Sequence, residues 1–139
     1  MYSALTVAYF VINWFKNHNL SISKLKLQIL LLYIYAEFAA KGINFIKCDF
    51  YTNPLGVMIP QIYKRFKGIS PDKTRLSRYS IRTRDIAQLD FIIKKYAYIP
   101  TENLVNAVCN NALWIESVDK NGYGEIFTKD MMIDLIKEI

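Results

Sequence analysis

A chain of 139 residues, 53% hydrophobic and 22% charged with a net charge of +6, fits one folded domain and excludes a disordered or low-complexity protein. Its two cysteines, Cys48 and Cys109, lie far apart and outside any CxxC spacing, which fits free thiols in a reducing, cytoplasmic compartment. Neither apolar run, Ala4 to Phe15 or Ile29 to Ala36, reaches the roughly 20 residues needed to span a bilayer, so no membrane partner or export signal is expected.

Ser3 is placed to cap a first helix in which Leu5, Ala8, Ile12 and Phe15 recur at spacings of three and four. Asn17-His18-Asn19 ends it. Ser23 caps the next and longest helix, which runs to Lys41. Leu27, Leu30, Leu31 and Ile34 make one face, and Leu32 and Tyr35 widen it until the helix is apolar nearly all round, the pattern of a central element. Gly42 supplies a left-handed stop. Ile43 to Thr52 is rich in residues that favour strands, and Asn53-Pro54-Leu55-Gly56 reads as a turn. Pro60 opens a short helix carrying Ile62, Tyr63 and Phe66.

The stretch from Gly68 to Arg82 has the fewest structural signals and is long for a loop in a compact domain. Thr83 is placed to cap a helix with Ile86, Leu89, Ile93 and Tyr96 in period, and Pro100-Thr101 starts another with Leu104, Val105 and Val108. Trp114-Ile115 follows. Asn121-Gly122 is a tight-turn signal that allows flanking strands. Thr128 caps a last helix with Met132, Leu135, Ile136 and Ile139 on its apolar side. The expected architecture is mainly α (α+β): a single compact domain over residues 1–139, with five to six helices and a small antiparallel β element.

Charge is unevenly distributed. Residues 1–63 carry a net +3 and residues 96–139 a net −4, whereas residues 64–95 set ten Lys and Arg against three Asp, a net +7. Within that block Tyr63, Lys64, Arg65, Lys67, Arg75, Arg78, Tyr79, Arg82 and Arg84 form the candidate partner-binding set, with Lys73 and Phe66 interleaved. Cations with part-exposed rings suit an acidic protein surface, and they equally suit single-stranded nucleic acid. Arginine outnumbers lysine from Arg75 to Arg84, which favours planar, bidentate recognition. A solvated face neutralised in part by the acidic C-terminal third accounts for the same charges.

Catalytic chemistry has little to stand on. His18 is the only histidine and sits in a polar helix-ending stretch, so a Ser-His or Cys-His mechanism lacks a placed base. Cys109 reads as a small buried hydrophobe, and no His, Cys and Asp set has metal-ligand spacing; no metal or other cofactor is expected. Asp85 with Asp90, and Asp130 with Asp134, offer carboxylate pairs that surface acids beside lysines explain as well. Gln28, inside an apolar helix, needs a buried partner, with the Asn53–Gly56 turn or a neighbouring strand the expected one.

Several motifs occur in a telling order: Ala4-Leu5-Thr6-Val7-Ala8, then Leu25-Lys26-Leu27-Gln28 leading to Tyr33, then Gly56-Val57-Met58-Ile59-Pro60 with Tyr63, then Trp114. In this order they resemble the Panacea domain family of antitoxins and phage-associated proteins, over almost the whole chain. Leu25, Leu27, Gln28, Gly56, Pro60, Tyr63 and Trp114 are the matched positions. Two positions depart from the family: its Tyr-Gly-Pro reads Leu55-Gly56-Val57 here, and its histidine before the Trp is Cys109. The resemblance implies a non-enzymatic module that binds a cognate toxin, or hands it to a protease. A phage-encoded inhibitor of a bacterial defence system and direct nucleic-acid binding through residues 64–84 remain the alternatives.

Overall fold

The protein is described by a computed structural model covering residues 1–75 and 79–137. Its helices are α1 (Ala4–Asn17), α2 (Lys24–Ala39), α3 (Pro60–Arg65), α4 (Thr83–Ala97), α5 (Thr101–Cys109), α6 (Ala112–Asn121) and α7 (Lys129–Lys137). Four short strands accompany them: β1 (Tyr2–Ser3), β2 (Ile46–Lys47), β3 (Tyr51–Asn53) and β4 (Gly56–Met58). The mainly α architecture with a small antiparallel element is therefore as expected, with seven α-helices among the described residues where five to six were anticipated.

α2 is the axis of the molecule. Every residue from Lys26 to Ala36 is buried, and α1, α4, α5, α7 and β4 all pack around it. Leu27, Leu30 and Leu31 have no exposed surface, as a helix without a polar face requires. Ser23 Oγ caps the helix by accepting from the Lys26 N–H at 3.0 Å. The helix ends at Ala39, two residues before the expected Lys41, and Gly42, at φ +76°, closes it. There the N–H of Ile43 donates back to the Phe38 carbonyl and that of Gly42 to the Ala39 carbonyl, a Schellman closure. α1 is capped as expected, Ser3 Oγ accepting from the Thr6 N–H at 3.1 Å.

The antiparallel element is the β3–β4 hairpin, with Tyr51 opposite Met58 and Asn53 opposite Gly56. Asn53 Oδ1 accepts from the Leu55 N–H at 2.9 Å, the side chain closing the two-residue turn. Gly56 is thus a strand residue, whereas the sequence placed it in the turn. A second pairing, β1 parallel to β2, carries no sequence signal because each strand is two residues long.

Three further expectations are corrected. Thr83 is the first residue of α4; Arg82 occupies the cap position, and no side chain caps that end. Asn121-Gly122 makes no hairpin: Gly122, at φ +77°, terminates α6, its N–H donating to the Val118 carbonyl at 2.8 Å. The helix itself was not anticipated, because its apolar side is short: only Trp114 is buried, with Leu113 and Val118 half-buried on the same face. Thr128 caps α7 through Oγ1, which accepts from the Met131 N–H at 3.2 Å, while Ile139 lies outside the described residues.

Candidate functional site

The described residues of the basic segment, on either side of residues 76–78, are tied to α1 in a strap rather than left as a free loop. Arg65 Nε donates to Tyr9 Oη at 2.8 Å, and its guanidinium lies over the Tyr9 and Phe66 rings. Lys16 Nζ donates to the Thr74 carbonyl, and Asn13 Nδ2 donates to Tyr79 Oη at 3.0 Å while the Tyr79 ring meets Phe10 edge-on. The Arg82 N–H donates to Tyr2 Oη, which in turn donates to Asp85. Arg65 and Tyr79, expected at the partner surface, are therefore half-buried anchors. Phe66 is wholly buried and cannot serve as a contact ring. Lys64, Lys67, Lys73, Arg75, Arg82 and Arg84 are exposed, and Arg78 lies outside the described residues.

Three of the seven matched motif positions, Leu25, Gln28 and Tyr63, line one groove of about 410 Å³ between the start of α2, the β3–β4 hairpin and α3. Leu25 and Gln28 line it from α2, Leu55 and Met58 from the hairpin, and Ile62 and Tyr63 from α3. Leu55 and Tyr63 stand at its rim with more than half of their surface open, beside the exposed Lys24 and Lys67. No carboxylate borders it among the described residues. Tyr63 and Lys67 thus belong to the expected partner-binding set and to this groove at once.

Gln28, Gly56, Pro60 and Trp114 hold β4 and the start of α3 in place beside it. Gln28 Oε1 accepts from the Ile59 N–H at 2.7 Å. That ties α2 to the residue after β4, close to the expected turn but not within it. Trp114 Nε1 donates to the Gly56 carbonyl at 3.0 Å. β4 is therefore clamped at both ends, by an amide from α2 and an indole from α6. Gly56, at φ +104°, has Val108 and Ile29 so close that an added Cβ would sit 3.4 Å from Val108 Cγ1. Pro60 then starts α3 at a position whose N–H would be unpaired in any case. Sequence signals found Gln28, Gly56, Pro60, Tyr63 and Trp114; they missed Leu55, Met58 and Lys24, whose role depends on the hairpin folding over α2.

The titratable groups are engaged structurally. His18 stacks on the Trp14 ring with centroids 3.7 Å apart, and its Nδ1 lies 2.7 Å from the Trp14 carbonyl. Burial raises the Cys109 thiol, and burial with the nearby Asp49 raises Cys48 to about 12, so both thiols are held away from the reactive thiolate. Asp85 accepts from Tyr2, Asp90 from Trp14 Nε1, and Asp134 from Asn111. A second, more open hollow of about 570 Å³ is lined by Lys26, whose buried Nζ donates to the Ile99 carbonyl and whose pKa burial lowers. Among the described residues no three His, Cys, Asp or Glu side chains are grouped to hold a metal, and no helix is long and apolar enough to cross a membrane.

Comparison with protein-family models, with characterised proteins and with solved structures gives no match.

Proposed function

We propose that the chain is a non-enzymatic protein-binding module of the antitoxin type, which neutralises a toxin by gripping an acidic, apolar-anchored segment of it in the α2–hairpin–α3 groove. The observation that carries this reading is the groove's composition: Leu25, Leu55, Met58 and Tyr63 around a concave floor, with Lys24 and Lys67 at the rim and no carboxylate among its described lining residues. Apolar anchors desolvated at the centre supply affinity, and rim cations steer an acidic partner and speed encounter. The resemblance to Panacea proteins rests on the residues alone; three of its seven matched positions, Leu25, Gln28 and Tyr63, line the same groove.

A second reading, a phage-encoded inhibitor acting at a nucleic-acid site or a direct nucleic-acid binder, is favoured by the strap. Its Lys64, Lys73, Arg75, Arg82 and Arg84 are exposed cations set along one segment. Steep salt dependence would mark it, since each phosphate contact releases counterions.

Growth rescue tests the leading proposal. The chain is co-expressed with each neighbouring reading frame whose product arrests growth. Wild type should restore growth, and the Leu55→Asp/Tyr63→Asp variant should fail while keeping its melting temperature, both side chains being largely exposed. Retained rescue by that variant would remove the groove from function.

A further inference from the structure

Lys26 is the one charged side chain that is buried among the described residues, at 6% exposure. Lys94 and Lys95 have carboxylate partners in Asp90 and Glu37, whereas Lys26 pairs with none. Its Nζ donates to the Ile99 carbonyl, and an ammonium carries three donors, so two of them have no partner among the described residues. Burial alone lowers its pKa; no neighbouring charge contributes. A cation taken out of water without a counter-charge keeps a desolvation cost that the fold does not offset. An uncharged side chain of the same length would pack as well, so packing does not explain the ammonium.

Lys26 stands in the wall of the hollow of about 570 Å³ between the turn before α2, residues 70–72 and the α4–α5 junction. Ser21, Ser70 and Thr101 bring three hydroxyls to the same hollow, none of them hydrogen-bonded among the described residues. Thr101 is also the first residue of α5, whose start has no side-chain cap, so its backbone N–H is a further open donor. Asp72 is the one carboxylate in the wall, and its Oδ1 accepts from the Ile22 N–H at 2.8 Å. Phe15, Leu20 and Ile22 make an apolar side. Open donors around a buried cation match an oxyanion with several acceptor oxygens, and they offer little to a metal ion.

We propose that this hollow binds a phosphate group, free or as a small phosphomonoester, with Lys26 Nζ as its counter-ion and the Ser21, Ser70 and Thr101 hydroxyls as neutral donors. The ligand supplies the charge that the fold withholds from Lys26. The apolar side gives an ester's organic group a surface to cover, which a free phosphate would leave wet. Among their lining residues this hollow and the α2–hairpin–α3 groove share only Ser23, so failure here leaves the groove reading untouched.

Isothermal titration calorimetry at constant ionic strength in chloride tests it, with inorganic phosphate and phenyl phosphate as the probes. Wild type should bind inorganic phosphate with a Kd of about 0.1–5 mM, the range of a few charge-assisted bonds in a partly open site. Lys26→Met keeps the length and loses the charge, and should bind at least tenfold more weakly. Asp72→Asn keeps Oδ1 for the Ile22 N–H and removes a like charge, and should bind at least twofold more tightly. Thr101→Val should weaken binding at least threefold, and it carries the test if circular dichroism shows that Lys26→Met does not fold. Tighter binding of phenyl phosphate than of inorganic phosphate assigns the site to an ester; equal or weaker binding assigns it to free phosphate. No binding of either probe by wild type up to about 20 mM would overturn the proposal. So would undiminished binding by a folded Lys26→Met or by Thr101→Val, or looser binding by Asp72→Asn.

Discussion

Gln28 Oε1, inside an otherwise apolar helix, accepts from the buried N–H of Ile59 at 2.7 Å. Its replacement by Leu should leave that N–H buried and unpaired, costing about 1–3 kcal/mol in urea unfolding with an unchanged slope. Asp90 shows a residue-scale effect of the opposite kind. The Trp14 N–H bond above all, with Lys94 adding to it, holds its carboxyl below the ordinary 3.8. The fold therefore favours the ionised form, a contribution complete above the unfolded value and lost as pH falls through the folded one. The stability gap between wild type and Asp90→Asn should narrow steadily as pH is lowered from about 6 to about 3, by thermal unfolding. A constant gap would mean that the Trp14 bond does not distinguish the two protonation states.

Among the elements, α2 fixes the most. Leu30 is fully buried at its middle, and Leu30→Ala should destabilise by about 2–5 kcal/mol through lost contacts and a cavity. A wild-type melting temperature for that variant would contradict the position of α2 at the core. This helix was legible because its apolar residues cover every face, and α1, α4, α5 and α7 were legible because theirs recur with the helical period. α6 was not, since its apolar side is no more than Leu113, Trp114 and Val118, with only Trp114 buried. The β1–β2 pair was not, because two-residue strands are defined by their partner and not by their own composition. In the site, Gly56 and Pro60 announced a turn and a helix start through backbone chemistry. Leu55 and Met58 announced nothing, because what makes them groove residues is the placement of the hairpin over α2. The strap was legible as charge but not as structure: Arg65 and Tyr79 are anchored by Tyr9, Asn13 and Phe10, all more than fifty residues earlier.

At the scale of the whole molecule, the proposed function gives the groove and the strap separable roles in binding the partner. Replacing Arg75 and Arg82 with Gln should leave stability within about 0.5 kcal/mol per site, both being exposed. The loss should appear in the association rate with the identified partner, greatest at low salt and fading as the screening length falls to about 8 Å. A stopped-flow salt series measures this, and an unchanged rate at low salt would confine recognition to the groove. The packing of α7 against α2 has a different kind of consequence, one of timing. Residues 24–39 leave the ribosome about 90 residues before residues 129–137. At roughly 5–20 residues per second that is a delay of about 5–18 seconds. Throughout it the most apolar segment of the chain lacks one of its covers, within reach of chaperones and proteases. A stalled or nicked chain without α7 should therefore stay open on that side of α2 and be more readily captured than the finished protein.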